Sequence, residues 1–128
     1  MAQMSNFLEN ALINATLRNT TYTSPASVYV GLFTTDPTDP GSGTEVSGGS
    51  YARVVATFTA PTDGVSPTNA DVQFAQCTLT WGTVTHFGIF DTLTSGNLLY
   101  HGSLTASKTI ETGDVFKIAS GNLTVTLE

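Results

Sequence analysis

The sequence predicts an all-β protein, an antiparallel β-sandwich of jelly-roll type that carries one N-terminal α-helix. Three observations support this prediction. About seven or eight short apolar runs follow residue 20, and turn residues separate them. The chain contains 23 threonines, and this β-branched residue suits half-exposed strands. Only the first 20 residues place apolar side chains at helical spacing.

The size and charge of the chain limit the classes of partner. Its 128 residues are predicted to form a single domain, 1–128. The net charge is −6, and the four basic residues are scattered: Arg18, Arg53, Lys108 and Lys117. A nucleic-acid interface needs several cations on one face, and an anionic membrane needs a basic cluster. We therefore expect neither nucleic acid nor membrane as a partner. The N-terminus also lacks the pattern of a signal peptide.

The first element is a helix predicted over residues 5–18, within an N-terminal segment of residues 1–20. Asn6 with Glu9 resembles a capping box, and Ser5 is an alternative N-cap. One face of this helix is apolar, and it either packs on the edge of a sheet or docks on a partner. The residues of this face that are candidates for a contact are Phe7, Leu8, Ala11 and Leu12.

After the helix, predicted strands alternate with turns. The strands are predicted at 27–34, 51–58, 72–74, 78–81, 84–91, 98–104, 115–119 and 123–127. In the first of these, both alternating sets of side chains are apolar, which predicts a strand covered on both faces. In the strand 84–91, Val84, His86 and Phe90 are expected on one face. Segments 61–69, 92–97 and 111–114 are rich in turn residues and are predicted to connect strands.

A long polar segment, residues 35–50, separates the first two strands. Its two Asp-Pro steps exclude helix, and its carboxylates lack the spacing of a helix-flanked calcium loop. Long connections in a compact domain are usually mobile or functional. We predict a contact loop that is flexible alone and fixed by a neighbour, and the alternative is a solvated connection. The candidate contact residues in and after it are Asp36, Asp39, Glu45, Tyr51 and Arg53.

Candidate catalytic and metal-binding residues are few. His86 and His101 flank the turn at 92–97 and lie near Asp91, but a third firm ligand is missing, which favours structural histidines over a metal site. Cys77 is the single cysteine, so an intrachain disulfide is impossible, and its context favours a small buried side chain. No serine elbow or phosphate-binding glycine loop occurs. We predict a protein that is not an enzyme and needs neither cofactor nor metal.

Several uncommon strings occur in a fixed order along the chain. They are "YVGLFTTDPTDPGSGTEVSGGSYAR", then "WGTVTHFGIFD" and "GNLLYHGSLTASKTI". In this order, and over nearly the whole chain, they resemble a family of short proteins of tailed bacteriophages. Members of that family are generally described as phage structural proteins and sometimes as tail-fibre proteins. Because the family is not one of enzymes, the resemblance implies no catalytic residue.

The resemblance implies a virion structural protein, made in the bacterial host cytoplasm. By analogy with small β-sandwich proteins of phage heads, we expect a capsid decoration, or cement, protein on the capsid surface. Such a protein would bind the major capsid protein and copies of itself, as a dimer or trimer. The alternative is a tail component, namely a fibre, tip or adaptor protein that binds a host surface or other tail proteins.

Overall fold

The computed structural model describes residues 2–127, which form one α-helix and nine β-strands. The helix is α1 (Asn6–Leu17). The strands are β1 (Gln3–Met4), β2 (Val28–Phe33), β3 (Val54–Ala56), β4 (Val65–Pro67), β5 (Val72–Gln73), β6 (Gly82–Phe90), β7 (Leu98–Ile110), β8 (Lys117–Ile118) and β9 (Thr124–Thr126). Every strand pair is antiparallel. The prediction of an all-β fold with one N-terminal helix is confirmed.

Five of the strands form the main sheet, in the order β1-β7-β6-β2-β3. Its centre is the β6–β7 hairpin, in which Gly88 lies opposite His101 and His86 lies opposite Ser103. β2 pairs with β6 along its length, so that Gly31 faces Gly88. The sheet has two sets of buried side chains, because both faces of β2 and β6 are covered. The sequence prediction of a first strand covered on both faces is therefore confirmed.

Two short ladders form the second layer, one from β4 and β9 and the other from β5 and β8. Their side chains pack on one face of the main sheet and close the larger core. The sheet and the ladders both supply fully buried members of this core, among them Val30, Leu32, Val84, Ile89, Val72 and Phe74. Cys77 belongs to it and is buried, as predicted. The sandwich thus has unequal layers, a full sheet against two small ladders.

The residue just before the helix anchors it to the main sheet. Ser5 is the N-cap, and its side chain accepts a hydrogen bond from the backbone N–H of Leu8. The Ser5 hydroxyl also donates to the carbonyl of Leu98, and the Ser5 N–H donates to the carbonyl of Leu99. One buried serine therefore caps the helix and attaches it to β7. The predicted helix, 5–18, is one residue longer at each end than the observed one, and Ser5 takes the capping role instead of Asn6.

The face predicted for Val84 is wrong. Val84 lies in the main core together with Phe87 and Ile89, whereas His86 and Phe90 lie on the opposite face. The ladder between β6 and β7 shifts register here: Val84 pairs with Lys108 and His86 pairs with Ser103, so β7 contains the extra residues. Extra residues in one strand interrupt the ladder and bend the pair locally, so a strict period of two fails at this point.

Some strand boundaries also differ from the prediction. The segment 78–81 forms no ladder, and β7 continues to Ile110, beyond the predicted end at residue 104. β1 and β4 were not predicted, because each is only two or three residues long and β4 lies in a segment rich in turn residues. Strands this short form only where the tertiary fold brings a partner strand beside them, which local pattern does not reveal.

Candidate functional site

The long segment after β2 folds back onto the edge of the main sheet. The N–H of Val46 donates to the carbonyl of Leu32 at 2.9 Å, and the N–H of Thr34 donates to the carbonyl of Thr44 at 3.0 Å. Phe33 and Glu45 form a single bridge between these bonds. The chain's own backbone therefore holds a segment that we expected to be flexible until a neighbour fixed it. Its role as a contact surface stays a prediction.

A salt bridge joins Glu45, near the end of the long segment, to Arg53, which follows the segment. The Arg53 guanidinium binds the Glu45 carboxylate through two hydrogen bonds, Nη2 to Oε1 at 2.8 Å and Nε to Oε2 at 2.9 Å. The third nitrogen of Arg53, Nη1, donates to the carbonyls of Thr92 and Ser95 in the β6–β7 turn. The Arg53 side chain is only 8% exposed. Arg53 was identified as a candidate contact with a partner; its guanidinium pairs with a carboxylate of its own chain, and a role in a partner contact stays a prediction.

An aromatic ring lies directly beneath this salt bridge. The guanidinium carbon of Arg53 is 3.4 Å from the centroid of the Phe90 ring, within the distance of a cation–π interaction. Phe90 stacks on Phe33 with ring centroids 5.9 Å apart, and both rings are buried together with Leu98. The salt bridge and the small apolar cluster therefore stabilise one another on the face of the sheet opposite to the main core.

Two glycines make room for this arrangement. A Cβ on Gly31 would lie 2.8 Å from the Glu45 carboxylate and 3.0 Å from the Tyr51 hydroxyl, and a Cβ on Gly88 would lie 2.8 Å from the Phe33 ring. The glycines face each other across β2 and β6. The sequence prediction did not include them. A glycine inside an otherwise apolar strand is a signal of close approach by another group, and that signal was present at both positions.

Tyr51 connects the segment to both sides of the sheet. Its hydroxyl donates to Glu45 Oε2 at 2.6 Å and accepts the backbone N–H of Leu32 at 2.9 Å. Its ring packs against Trp81 and Phe74 in the main core, with centroid distances of 5.5 and 6.2 Å. The pairing of β2 with β3 ends at Val30. Beyond that point, the Tyr51 hydroxyl accepts the hydrogen bond of the Leu32 N–H that a neighbouring strand would otherwise accept.

The two histidines contact the carboxylates of the same segment. His101 is buried, and its Nε2 lies 2.9 Å from Asp39 Oδ1. Asp36 lies between the histidines, 3.9 Å from His86 Nε2 and 4.0 Å from His101 Nδ1. Asp91 takes no part and instead accepts hydrogen bonds from Asn97. In residues 2–127 no group of three or more His, Cys, Asp or Glu side chains is arranged to hold a metal ion.

The helix and the segment, which were predicted separately as contact elements, lie side by side. The N–H of Asn6 donates to the backbone carbonyl of Asp39 at 3.0 Å, and a cleft between the two elements is lined by Phe7, Pro40 and Leu98. The predicted apolar face is divided between interior and solvent. Leu8 is buried in its own chain, Ala11 and Leu12 are half-buried, and Phe7 is exposed.

The pKa of Tyr51 leads to a prediction at alkaline pH. Burial, and then the hydrogen bond to Glu45, raises the pKa of Tyr51 above the ordinary value of 10.0. Below pH 10 both folded and unfolded chains hold this proton, whereas above it only the unfolded chain releases it, so stability falls as pH rises. We expect the free energy of unfolding to lose about 1.4 kcal/mol per pH unit above pH 10 from this group.

Urea unfolding of the natural chain and of Tyr51→Phe at several pH values between about 8 and 11 measures this loss. The phenylalanine variant lacks the proton, so its stability should decline less steeply above pH 10. The remaining decline in the variant comes from the other groups that titrate in this range, among them Tyr100, whose pKa is also raised by burial. Equal slopes in the two proteins would show that the Tyr51 hydroxyl is not enclosed as described.

Comparisons with known proteins identify the family of the chain. A family model described as "Podophage GP4 fiber I protein gp80" matches residues 3–126, which is nearly the whole sequence. No curated protein matches the chain. Across residues 2–127, the helix is too short and too polar to cross a membrane. The sequence resemblance to a structural family of tailed phages is thus confirmed.

Proposed function

Because the chain belongs to the family described as podophage GP4 fiber I protein gp80, we propose that it is a tail-fibre component of a phage virion. It is a structural protein of a tailed bacteriophage. The single observation that carries the tail location is the word fiber in the description of a family that spans residues 3–126. Capsid decoration rested on an analogy of size and architecture, and the family description favours the tail alternative over it.

The geometry supports a function based on binding. A fibre subunit must transmit force without unfolding, and a stiff sheet covered on both faces suits that task. The salt bridge of Arg53 with Glu45 fixes the long segment against the β6–β7 turn. Helix α1 lies beside that segment, so the two elements together present one continuous surface. We propose this surface, centred on Phe7, Asp36 and Asp39, as the contact with neighbouring tail proteins.

We also infer that the protein works without catalysis. The groups that would have served as acid, base or nucleophile are engaged in holding the fold. His101 is buried against Asp39, and Glu45 is held by both Arg53 and Tyr51. Cys77 is buried, with its sulfur against the carbonyl of Leu79. Because these side chains are buried or hydrogen-bonded within the chain, we infer that their role is to stabilise the folded protein.

Immunogold electron microscopy of intact phage particles tests the tail location. An antibody raised against the purified chain should label a few positions at one end of each particle, where the tail attaches. Labelling spread over the whole head in many copies would contradict the tail proposal and support a capsid decoration protein. Antibody absorbed with the purified chain is the control, since it should remove either pattern.

A further inference from the structure

An open groove lies between helix α1, the segment that follows it and the turn between β6 and β7. Ten residues line it, and six of these carry an aromatic ring, an amide or a carboxylate: Phe7, Asn10, Asn14, Tyr22, Asp91 and Asn97. Its volume of about 490 Å³ lies within the range of roughly 300–1,000 Å³ that is typical of small-molecule sites. The groove is distinct from the Arg53 salt bridge.

The groove offers two aromatic rings beside polar groups. Phe7 is 42% exposed, although it is an apolar residue at the start of a helix. Tyr22 is half-buried, and burial followed by the negative charge of Asp91 raises the pKa of its hydroxyl. The hydroxyl is therefore protonated at neutral pH, and it can both donate and accept a hydrogen bond. Both rings present a flat apolar face, and the Tyr22 ring carries a polar hydroxyl at its edge.

The polar groups are held in place by their own neighbours. Asp91 Oδ1 accepts the backbone N–H of Asn97 at 2.8 Å, and Asp91 Oδ2 accepts the Asn97 side-chain amide at 3.0 Å. A carboxylate has about four acceptor positions, so two remain for a ligand. The side-chain oxygen of Asn14, Oδ1, accepts a hydrogen bond from the Arg18 guanidinium. The side-chain nitrogen of Asn14 is left as a donor. The lining of the groove thus contains hydrogen-bond donors and acceptors, and those of Asp91, Asn97 and Asn14 are held by bonds within the chain.

The charge of the groove restricts the ligand. Asp91 is the one charged residue among those that line it, and the chain carries a net charge of −6. An anion would be repelled. A metal cation prefers several oxygen ligands, and here it would find a single carboxylate that already accepts two hydrogen bonds. A neutral ligand rich in hydroxyl groups is not repelled by Asp91 and needs no cluster of oxygen ligands, and its hydroxyls can pair with the amides and the carboxylate of the groove.

We propose that this groove binds a neutral saccharide unit. The apolar face of a sugar ring, formed by its C–H groups, would stack on Phe7 or Tyr22. Its hydroxyls would pair with the amides of Asn10 and Asn14 and with the carboxylate of Asp91. The inference deepens the proposed function and rests on it, since a tail subunit meets the glycans of the host surface whereas an interior protein does not.

NMR titration of the isotope-labelled chain with neutral monosaccharides tests the proposal. Glucose, galactose, mannose, rhamnose and N-acetylglucosamine would each be added up to about 100 mM, because single sugar units bind weakly. At least one sugar should give saturable shifts confined to the side-chain amides of Asn10, Asn14 and Asn97 and to residues 20–23. Tyr22→Ala should weaken this binding at least about tenfold, since it removes one ring and one hydroxyl.

Asn10→Ala provides a second variant that is expected to fold. Alanine favours helix more than asparagine, and residue 10 is exposed, so only the groove loses a hydrogen-bonding group. It should weaken binding about threefold or more. Asn122→Ala, at an exposed position outside the groove, is the matched control and should leave binding unchanged.

The proposal is overturned if no sugar shifts the groove residues, or if Tyr22→Ala and Asn10→Ala bind as well as the natural chain. This outcome differs from failure of the tail location. Gold labelling at the tail without sugar binding would remove the groove proposal alone. Labelling over the head would remove the tail location, while the titration would still decide whether the groove binds a sugar.

Discussion

Replacing Arg53 with methionine is expected to lower the free energy of unfolding by about 3–5 kcal/mol. The substitution keeps an apolar stem of similar length but removes the charge that pairs with Glu45. That carboxylate is only 24% exposed and would keep a single strong donor, the Tyr51 hydroxyl. The carbonyls of Thr92 and Ser95 would each lose a hydrogen bond as well. Urea unfolding, followed by the fluorescence of Trp81, measures the change.

Two further variants separate charge from geometry. Arg53→Lys keeps the positive charge but cannot form the two parallel hydrogen bonds of a guanidinium, so it should recover only part of the loss. Lys117→Ala is the matched control, because Lys117 and Asp71 form an exposed pair at 3.9 Å and such pairs contribute about 0–1 kcal/mol. A loss of less than about 1 kcal/mol in Arg53→Met would contradict the buried salt bridge described here.

The elements predicted most accurately were those fixed by local pattern. Helix α1 was predicted because Leu8, Leu12 and Ala15 recur at helical spacing after a residue able to cap the helix. β2 was predicted because both of its alternating sets are apolar. In each case the side chains that decide the structure lie within one turn or two residues of one another, so the sequence alone contains the information.

The arrangement of the long segment was not predictable in the same way. Asp36, Asp39, Glu45, Tyr51 and Arg53 were all identified as candidates, and each makes a polar contact close to the main sheet. Their partners are distant in sequence, however. Asp39 meets His101 across 62 residues, and Arg53 meets the carbonyl of Ser95 across 42 residues. Polarity predicted a solvent-facing or partner-facing role. Tertiary pairing instead encloses Arg53 and Glu45, whereas Asp36 and Asp39 stay exposed beside the histidines.

The error at Val84 has a related cause. A period of two is reliable only when every residue of a strand pairs in sequence, and the register of β6 against β7 slips between Val84 and His86. The extra residues that cause this slip belong to the partner strand β7. The place of the slip in β6 could not be derived from Val84 to Phe90 alone.

Two leucines of the helix, one buried and one exposed, test which face of the helix packs on its own chain. Leu8→Ala should lower the free energy of unfolding by about 2–5 kcal/mol, because Leu8 is 4% exposed and its removal leaves a cavity. Leu17→Ala makes the same chemical change in the last turn at a side chain that is 78% exposed, and it should shift stability by no more than about 0.5 kcal/mol. Urea unfolding of both variants provides the comparison.

The same two variants distinguish folding from assembly. If Leu17 and its exposed neighbour Ile13 contact another virion protein, Leu17→Ala should reduce incorporation into particles while leaving the purified chain stable. Leu8→Ala should reduce incorporation only as far as it reduces the folded fraction. A Leu8 variant as stable as the natural chain would contradict the packing of α1 on β7. The helix would then be attached mainly through Ser5, and its apolar face would be available to a partner after all.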